Sequence, residues 1–218
     1  SLDFKADRFL RGLAVPESIQ LATWMGSLSL AQLKVLMPSY QASLSVERVF
    51  GEVISSDDAA SGNPVDRALD FYQRYYLPDD ILRKVDRASM WVGLELRCPF
   101  LDTELAEYVN RLPAAMKFHR GETKRVLKDV LRRSGLIPRA VIDRPKKGFG
   151  IPIARWLRTD LRGEVEEHLV NDWPWSLGLI DQARVRDLVR DHLSRRANRA
   201  KEIWSLLVLS KWAKSHAS

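Results

Sequence analysis

The stretch Asp143–Pro152, DRPKKGFGIP, sets Lys146 and Lys147 directly after a proline and ahead of two glycines, Gly148 and Gly150. Ammonium groups on a loop are mobile point charges, suited to a phosphate whose geometry changes during a reaction. Glycines beside them either let backbone N–H groups approach an anion closely or simply allow the chain to turn. Phe149 suits a packing anchor better than a stacking surface. A second candidate lies upstream, where Asp79 and Asp80 follow Pro78. A carboxylate there serves an active site or caps a helix. In the same block Asp86 and Arg87 form a polar helix face. Glu95 and Arg97, two residues apart, read as a buried pair clamping an irregular segment onto a neighbouring helix.

Other chemistries find no support. No G-x-x-x-x-G-K-[ST] loop, no G-x-G-x-x-G after a strand and no G-x-S-x-G elbow occurs. His119, His168, His192 and His216 are far apart, with no metal-ligand spacing. The single cysteine, Cys98, excludes an internal disulfide and suits a reducing cytoplasm. The chain has no apolar run of about 18 residues to span a membrane.

The elements that must position these residues read as helices. Asp79 and Asp80 are expected to cap a helix from Pro78 onward, with Ile81, Val85, Ala88 and Val92 on one face. The next helix starts at Asp102 or Thr103 and turns Leu105, Tyr108, Val109 and Leu112 inward. A third buries Val126, Leu127, Val130 and Leu131 and stops at Gly135, with Lys124, Arg125, Lys128 and Arg132 leaving on the other side. The stretch from Ile203 to Leu209 is apolar nearly all round and reads as a core helix. Earlier helices are expected near 4–13, 16–24, 30–36, 45–55 and 64–76. A polar linker is expected over 55–64, and a break over 171–181 that its tryptophans pin down. The fold class is therefore all-α, an irregular multi-helix domain. Residues 1–60 form an N-terminal helical segment, loosely attached, and 61–218 the main helical region.

Charge is concentrated. The 218 residues carry a net +7, yet residues 119–162 alone hold thirteen Arg or Lys against four Asp or Glu. Such an excess favours an anionic partner or is a solvated face, and composition does not decide between them.

Two blocks carry more information together. YLPDDILRKVDRASMWVGLELRCPFLDTELAEYV, residues 76–109, and KRVLKDVL with LIPRAVIDRPKKGFGIPIARWL, between 124 and 157, resemble the synthetase domain of the glutamine-hydrolysing asparagine synthetases. The closing AKEIWSLLVLSKW is similar to that domain's last helix. The resemblance implies the helical C-terminal half of an adenine-nucleotide α-hydrolase-like domain. It also implies a chain lacking the glutaminase domain, the S-G-G-x-D-S phosphate loop and the S-G-E-G-x-D-E segment.

What the resemblance implies chemically is an ATP- and Mg²⁺-dependent amidation of aspartate through a β-aspartyl-AMP intermediate, with ammonia drawn from glutamine. Lys146 then faces the α-phosphate and the leaving pyrophosphate, with Lys147, Gly148 and Gly150 beside it. Asp80 lies by the synthetase site. No protein metal ligand is assigned. The resemblance further implies a cytoplasmic carbon–nitrogen ligase whose missing α/β half packs against this chain; it leaves a homodimer open. The fragment alone is expected to be inactive and to bind no nucleotide. Two other readings stand beside it: a related amidotransferase acting on another carboxylate, and a basic helical nucleic-acid-binding module. The second lacks aromatic stacking platforms among its basic residues.

Overall fold

The computed structural model describes residues 9–38, 63–145, 150–171 and 180–216. The chain forms two compact units, one made of Ser1–Val53 with Phe149–Ser218 and the other of Ile54–Gly148. The expected N-terminal segment thus contributes residues 1–53 to the unit that also holds the C-terminus. The helix expected near 45–55, most of the 55–64 linker, and Trp173 and Trp175 of the 171–181 break lie outside the described residues.

In chain order, the first unit opens with α1 (Glu17–Met25) and α2 (Leu30–Leu36). The second unit holds α3 (Pro64–Phe71), a π-helical stretch over Tyr72–Leu82 and α4 (Arg83–Met90). It continues with α5 (Thr103–Arg111), α6 (Ala114–Lys117), the strands β1 (Phe118–His119) and β2 (Glu122–Thr123), α7 (Arg125–Ser134) and α8 (Arg139–Ile142). Back in the first unit come α9 (Ile153–Trp156), α10 (Arg162–Val165), α11 (Gln182–Leu193) and α12 (Ala200–His216). The class is mostly helical, as the periodicity indicates. Among the described residues, no helix is long and apolar enough to cross a membrane.

The first unit has a core. Ile203, Leu206 and Leu207 of α12 recur at helical spacing and pack with Leu36, Leu157, Val165, Leu169, Val185 and Val189, all buried. Each such side chain taken from water stabilises the fold by about 1.5–3 kcal/mol. The opposite stripe of α12, Trp204, Val208 and Trp212, is exposed, so this helix is apolar on both sides but buried on only one. Polar caps fix the ends of the elements. Ser29 and Gln32 form a reciprocal capping box at α2, and Gln32 Nε2 also donates to Glu202 at 3.2 Å. Asp181 Oδ1 accepts from the N–H groups of Ala183 and Arg184 at the start of α11.

His192 joins three pieces of this unit. Its Nδ1 accepts from the backbone N–H of Arg199 at 3.2 Å, and its Nε2 lies 3.2 Å from the carbonyl of Ala154. Both contacts are satisfied by the neutral imidazole protonated on Nε2. Arg158 Nε donates to the His192 carbonyl at 2.9 Å, which brings a positive charge beside the ring.

The second unit is built differently. Phe71 is its one buried large apolar side chain among the described residues, and Ser89 its one buried polar residue. Polar contacts hold it together. Lys117, 11% exposed, donates to Asp66 at 3.0 Å and to the carbonyl of Asn110 at 2.8 Å. Gln73 and Asn110 exchange two side-chain amide hydrogen bonds, at 2.9 and 3.1 Å.

Several expectations are corrected here. No helix starts at Asp79 or Asp80, because the chain is helical without interruption from Pro64 to Met90. Pro78 lies inside it, where an α-helix would lose a hydrogen bond and clash; the π stretch around it spaces the ladder differently. Ala88, Val92, Leu105, Tyr108 and Val130, expected inward, are exposed. Asp102 does cap α5, accepting from Leu105 N–H at 2.9 Å, and Gly135 does end α7 in the left-handed region at φ 67°. The β1–β2 hairpin was not expected. Arg120 and Gly121 both take positive φ at its turn, the requirement of a type I′ connection.

Burial, then the charge of Arg158, push His192 below its ordinary value of 6.5. The unfolded chain binds this proton more readily than the folded one, so stability is complete above 6.5 and falls as pH drops below it. Carboxylates such as Glu164, held down by Lys211, act only below their ordinary 4.5. The thermal midpoint is expected to fall between about pH 7 and pH 5.5, and His192→Gln to flatten that fall while leaving the acid limb below it. Scanning calorimetry of both proteins across this range checks the assignment.

Candidate functional site

The candidate residues of the second unit are carried by the long helix of α3, the π stretch and α4, and by the segment after it. On the π stretch, Asp80 is 53% exposed and pairs with Lys84 at 3.9 Å. Tyr76 lies on the same face. Desolvation first, then the charge and hydrogen bond of Asp80, raise its phenol above the ordinary value. Asp79 pairs with Arg83 at 3.6 Å. π-helical turns bring together side chains that α geometry would splay apart, and they recur at functional sites.

Beyond α4 the chain turns at Gly93, in the left-handed region at φ 67°, and runs extended to Cys98. A cleft of about 880 Å³ lies between α4 and this segment, lined by Val85, Asp86, Leu96, Arg97, Leu101 and Asp102 among others. Asp86 therefore lines this cleft. Glu95 and Arg97 do pair with each other, but both are largely exposed. The pair is therefore not the buried clamp expected of it: among the described residues both side chains stand largely in solvent. Met90, Trp91, Val92, Leu94, Leu96 and Phe100 form an open apolar face around it, with Trp91 90% exposed.

Several bases of the basic window pair with its few acids, while thirteen Arg or Lys against four Asp or Glu still leave it strongly positive. Arg125 donates to the carbonyl of Ala115 at 3.0 Å and lies 3.9 Å from Asp129. Lys128 lies 3.6 Å from Glu122. Arg132 Nη2 donates to Glu122 at 2.8 Å and to Asp143 at 2.7 Å, while its Nη1 donates to Asp129 at 3.2 Å. These bonds hold the Glu122 and Asp143 carboxyls below their ordinary range and raise the guanidinium further above its own. Sequence reasoning placed Arg132 only on a solvated basic face. Asp129 lies within a helical turn of it, but Glu122 and Asp143 lie ten and eleven residues away, where side-chain periodicity gives no signal.

Of the sequence-derived site residues, Lys146, Lys147 and Gly148 lie outside the described residues, as does Phe149. Gly150 is exposed, with nothing within 4 Å of where a Cβ would sit. Asp80 and Gly150 belong to different units.

Comparison with known proteins adds what the geometry alone does not. The sequence model of the Asparagine synthase family matches residues 6–214. The chain belongs to the asparagine synthase family. It is 32% identical over 193 residues to a putative glutamine-hydrolyzing asparagine synthetase of Mycobacterium tuberculosis, an alignment covering 85% of this chain and 28% of that protein. It is 28% identical over 183 residues to asparagine synthetase 1 of Bacillus subtilis, covering 82% and 27%. With the human asparagine synthetase it shares 38% identity over 96 residues, covering 43% and 17%. The chain thus spans little more than a quarter of the length of the first two relatives. No solved structure matches it.

Asparagine synthase family members use ATP and Mg²⁺, and the cleft beside α4 fits neither. Among the described residues no group of three His, Cys, Asp or Glu is placed to hold a metal ion. The cleft beside α4 sets Asp86, Glu95 and Asp102 against Arg97 alone, a negative balance that repels a triphosphate.

Arg97→Ala is expected to leave stability unchanged within error, since exposed ion pairs contribute little. Asp102→Ala is expected to cost about 1 kcal/mol through the lost cap of α5. Urea unfolding of the two variants checks this ordering, and a larger loss for Arg97→Ala would restore the clamp.

Proposed function

We propose that this chain is the helical C-terminal part of a glutamine-hydrolysing asparagine synthetase, a cytoplasmic carbon–nitrogen ligase. The observation that carries the reading is the family match over nearly the whole chain, joined to a length little more than a quarter of the matched synthetases. In this reading ATP activates the side-chain carboxylate of aspartate as β-aspartyl-AMP and pyrophosphate leaves. Ammonia released from glutamine elsewhere in the enzyme then displaces AMP and gives asparagine.

The helical part has two tasks. It supplies positive charge where negative charge gathers on the departing pyrophosphate, and it helps exclude water from an adenylate that would otherwise hydrolyse. Lys146 carries the first task, supported by Lys147 and by backbone N–H groups near Gly148 and Gly150. Asp80, on the π stretch beside Tyr76, is the carboxylate assigned to the synthetase site. The ligands of Mg²⁺ and the pocket that selects aspartate belong to the α/β half. The open apolar face from Met90 to Phe100 is where that half packs, since an apolar surface of this extent marks an interface.

The 218-residue chain alone is expected to release no pyrophosphate from ATP and aspartate. In the complete synthetase polypeptide, Lys146→Ala is expected to lower turnover at least about 100-fold with an unchanged thermal midpoint. A coupled pyrophosphate assay reads both. Robust release by the isolated chain, or full activity of Lys146→Ala, overturns the reading.

A further inference from the structure

We infer that Arg132 is the positioning residue for the Asp143 end of the phosphate-facing loop, a role that rests on the reading of Lys146 proposed above. Its guanidinium gathers carboxylates from three pieces of chain: Glu122 on β2, Asp129 one turn earlier on α7, and Asp143 immediately after α8. Lys146 follows Asp143 by three residues.

The stretch between Arg132 and Asp143 cannot fix its own direction. Gly135 ends α7 in the left-handed region, and Pro138 opens α8 with no side-chain cap. At four residues α8 is a single turn, too short to be stable by itself. The bond to Arg132 adds a directed tie at Asp143, where the chain leaves this single turn. The same Nη2 atom holds Glu122, which ties that heading to the β1–β2 hairpin.

Arginine suits the task because its planar fork offers several donors at fixed angles, where an ammonium offers a single point charge. Lys128, 3.6 Å from Glu122, shows the alternative in the same cluster: it contributes charge without reaching Asp143. Arg132 is 28% exposed but Asp143 is 50% exposed, so the hold on Asp143 comes from directed, charge-assisted bonds within a cluster rather than from burial. The lowered carboxyls of Glu122 and Asp143 keep the cluster charged through neutral pH.

The test has two parts. In the 218-residue chain, amide hydrogen exchange followed by mass spectrometry reads the segment 139–145, where the N–H groups of Val141, Ile142 and Asp143 are hydrogen-bonded. Arg132→Gln is expected to speed exchange there about tenfold, the loss of a charge-assisted bond, with α12 unaffected. Arg132→Lys is expected to fall between the two. In the complete synthetase, Arg132→Gln and Asp143→Asn are each expected to lower kcat about tenfold or more while the KM for ATP moves less than about threefold. Arg132→Lys should recover part of that loss.

Unchanged exchange in 139–145, or unchanged kcat for both variants in an enzyme that Lys146→Ala impairs, overturns the positioning role alone. If Lys146→Ala keeps full turnover, the phosphate reading falls and the catalytic meaning of Arg132 falls with it. Loss of exchange protection in α12 as well as in 139–145 would show general unfolding and count against the inference.

Discussion

Apolar surface must leave water before a short helical chain can hold polar groups in fixed places, and the two units meet that requirement unequally. Around α12 the first unit buries a continuous cluster of aliphatic side chains, and its caps and its histidine are set by that cluster. The second unit buries Phe71 and little else among its described residues. Its order is held by hydrogen bonds and ion pairs, which contribute less per contact and are screened at the surface. A unit of this kind depends on an external surface to complete its core, and membership of a family of much longer proteins supplies a reason for one.

Electrostatics in the second unit follow from the same shortage. Where side chains cannot be fixed by packing, direction is imposed by charge-assisted bonds with defined angles. Lys117 does this for α3 and α5, and Arg132 does it for the hairpin, α7 and α8. The basic window that looked like one undivided field is thus partly spent on internal pairing. Pairing with Glu122, Asp129 and Asp143 orders some of these bases, but thirteen against four still leaves the window strongly positive.

Features coded within a turn or two of chain were legible in the sequence. The cap at Asp102 and the stop at Gly135 each depend on neighbours within four residues, and the local pattern finds them. The motif blocks around Asp80 and Lys146 likewise pointed to the asparagine synthase family. What escaped was long-range or depended on what is absent. Leu105 and Tyr108 have the spacing of a buried face, but spacing does not say whether anything lies against it. The Glu95–Arg97 pair was assigned a buried place for the same reason. The type I′ turn at Arg120–Gly121 lacked the Asn or Asp that usually announces it. The capture of Asp143 by Arg132 crosses two helix breaks, where no periodic signal survives.

The π stretch around Pro78 has a further meaning as a gearing element. Each of its turns holds more residues than an α turn, so it shifts the angular phase between α3 and α4. Removing one residue from it would rotate everything downstream about the helix axis by somewhat less than the ~100° step of an α-helical residue. The wall that α4 offers to its cleft would then be a different set of side chains, with no change in their identity. Length in this segment, more than composition, decides which chemistry the helix presents.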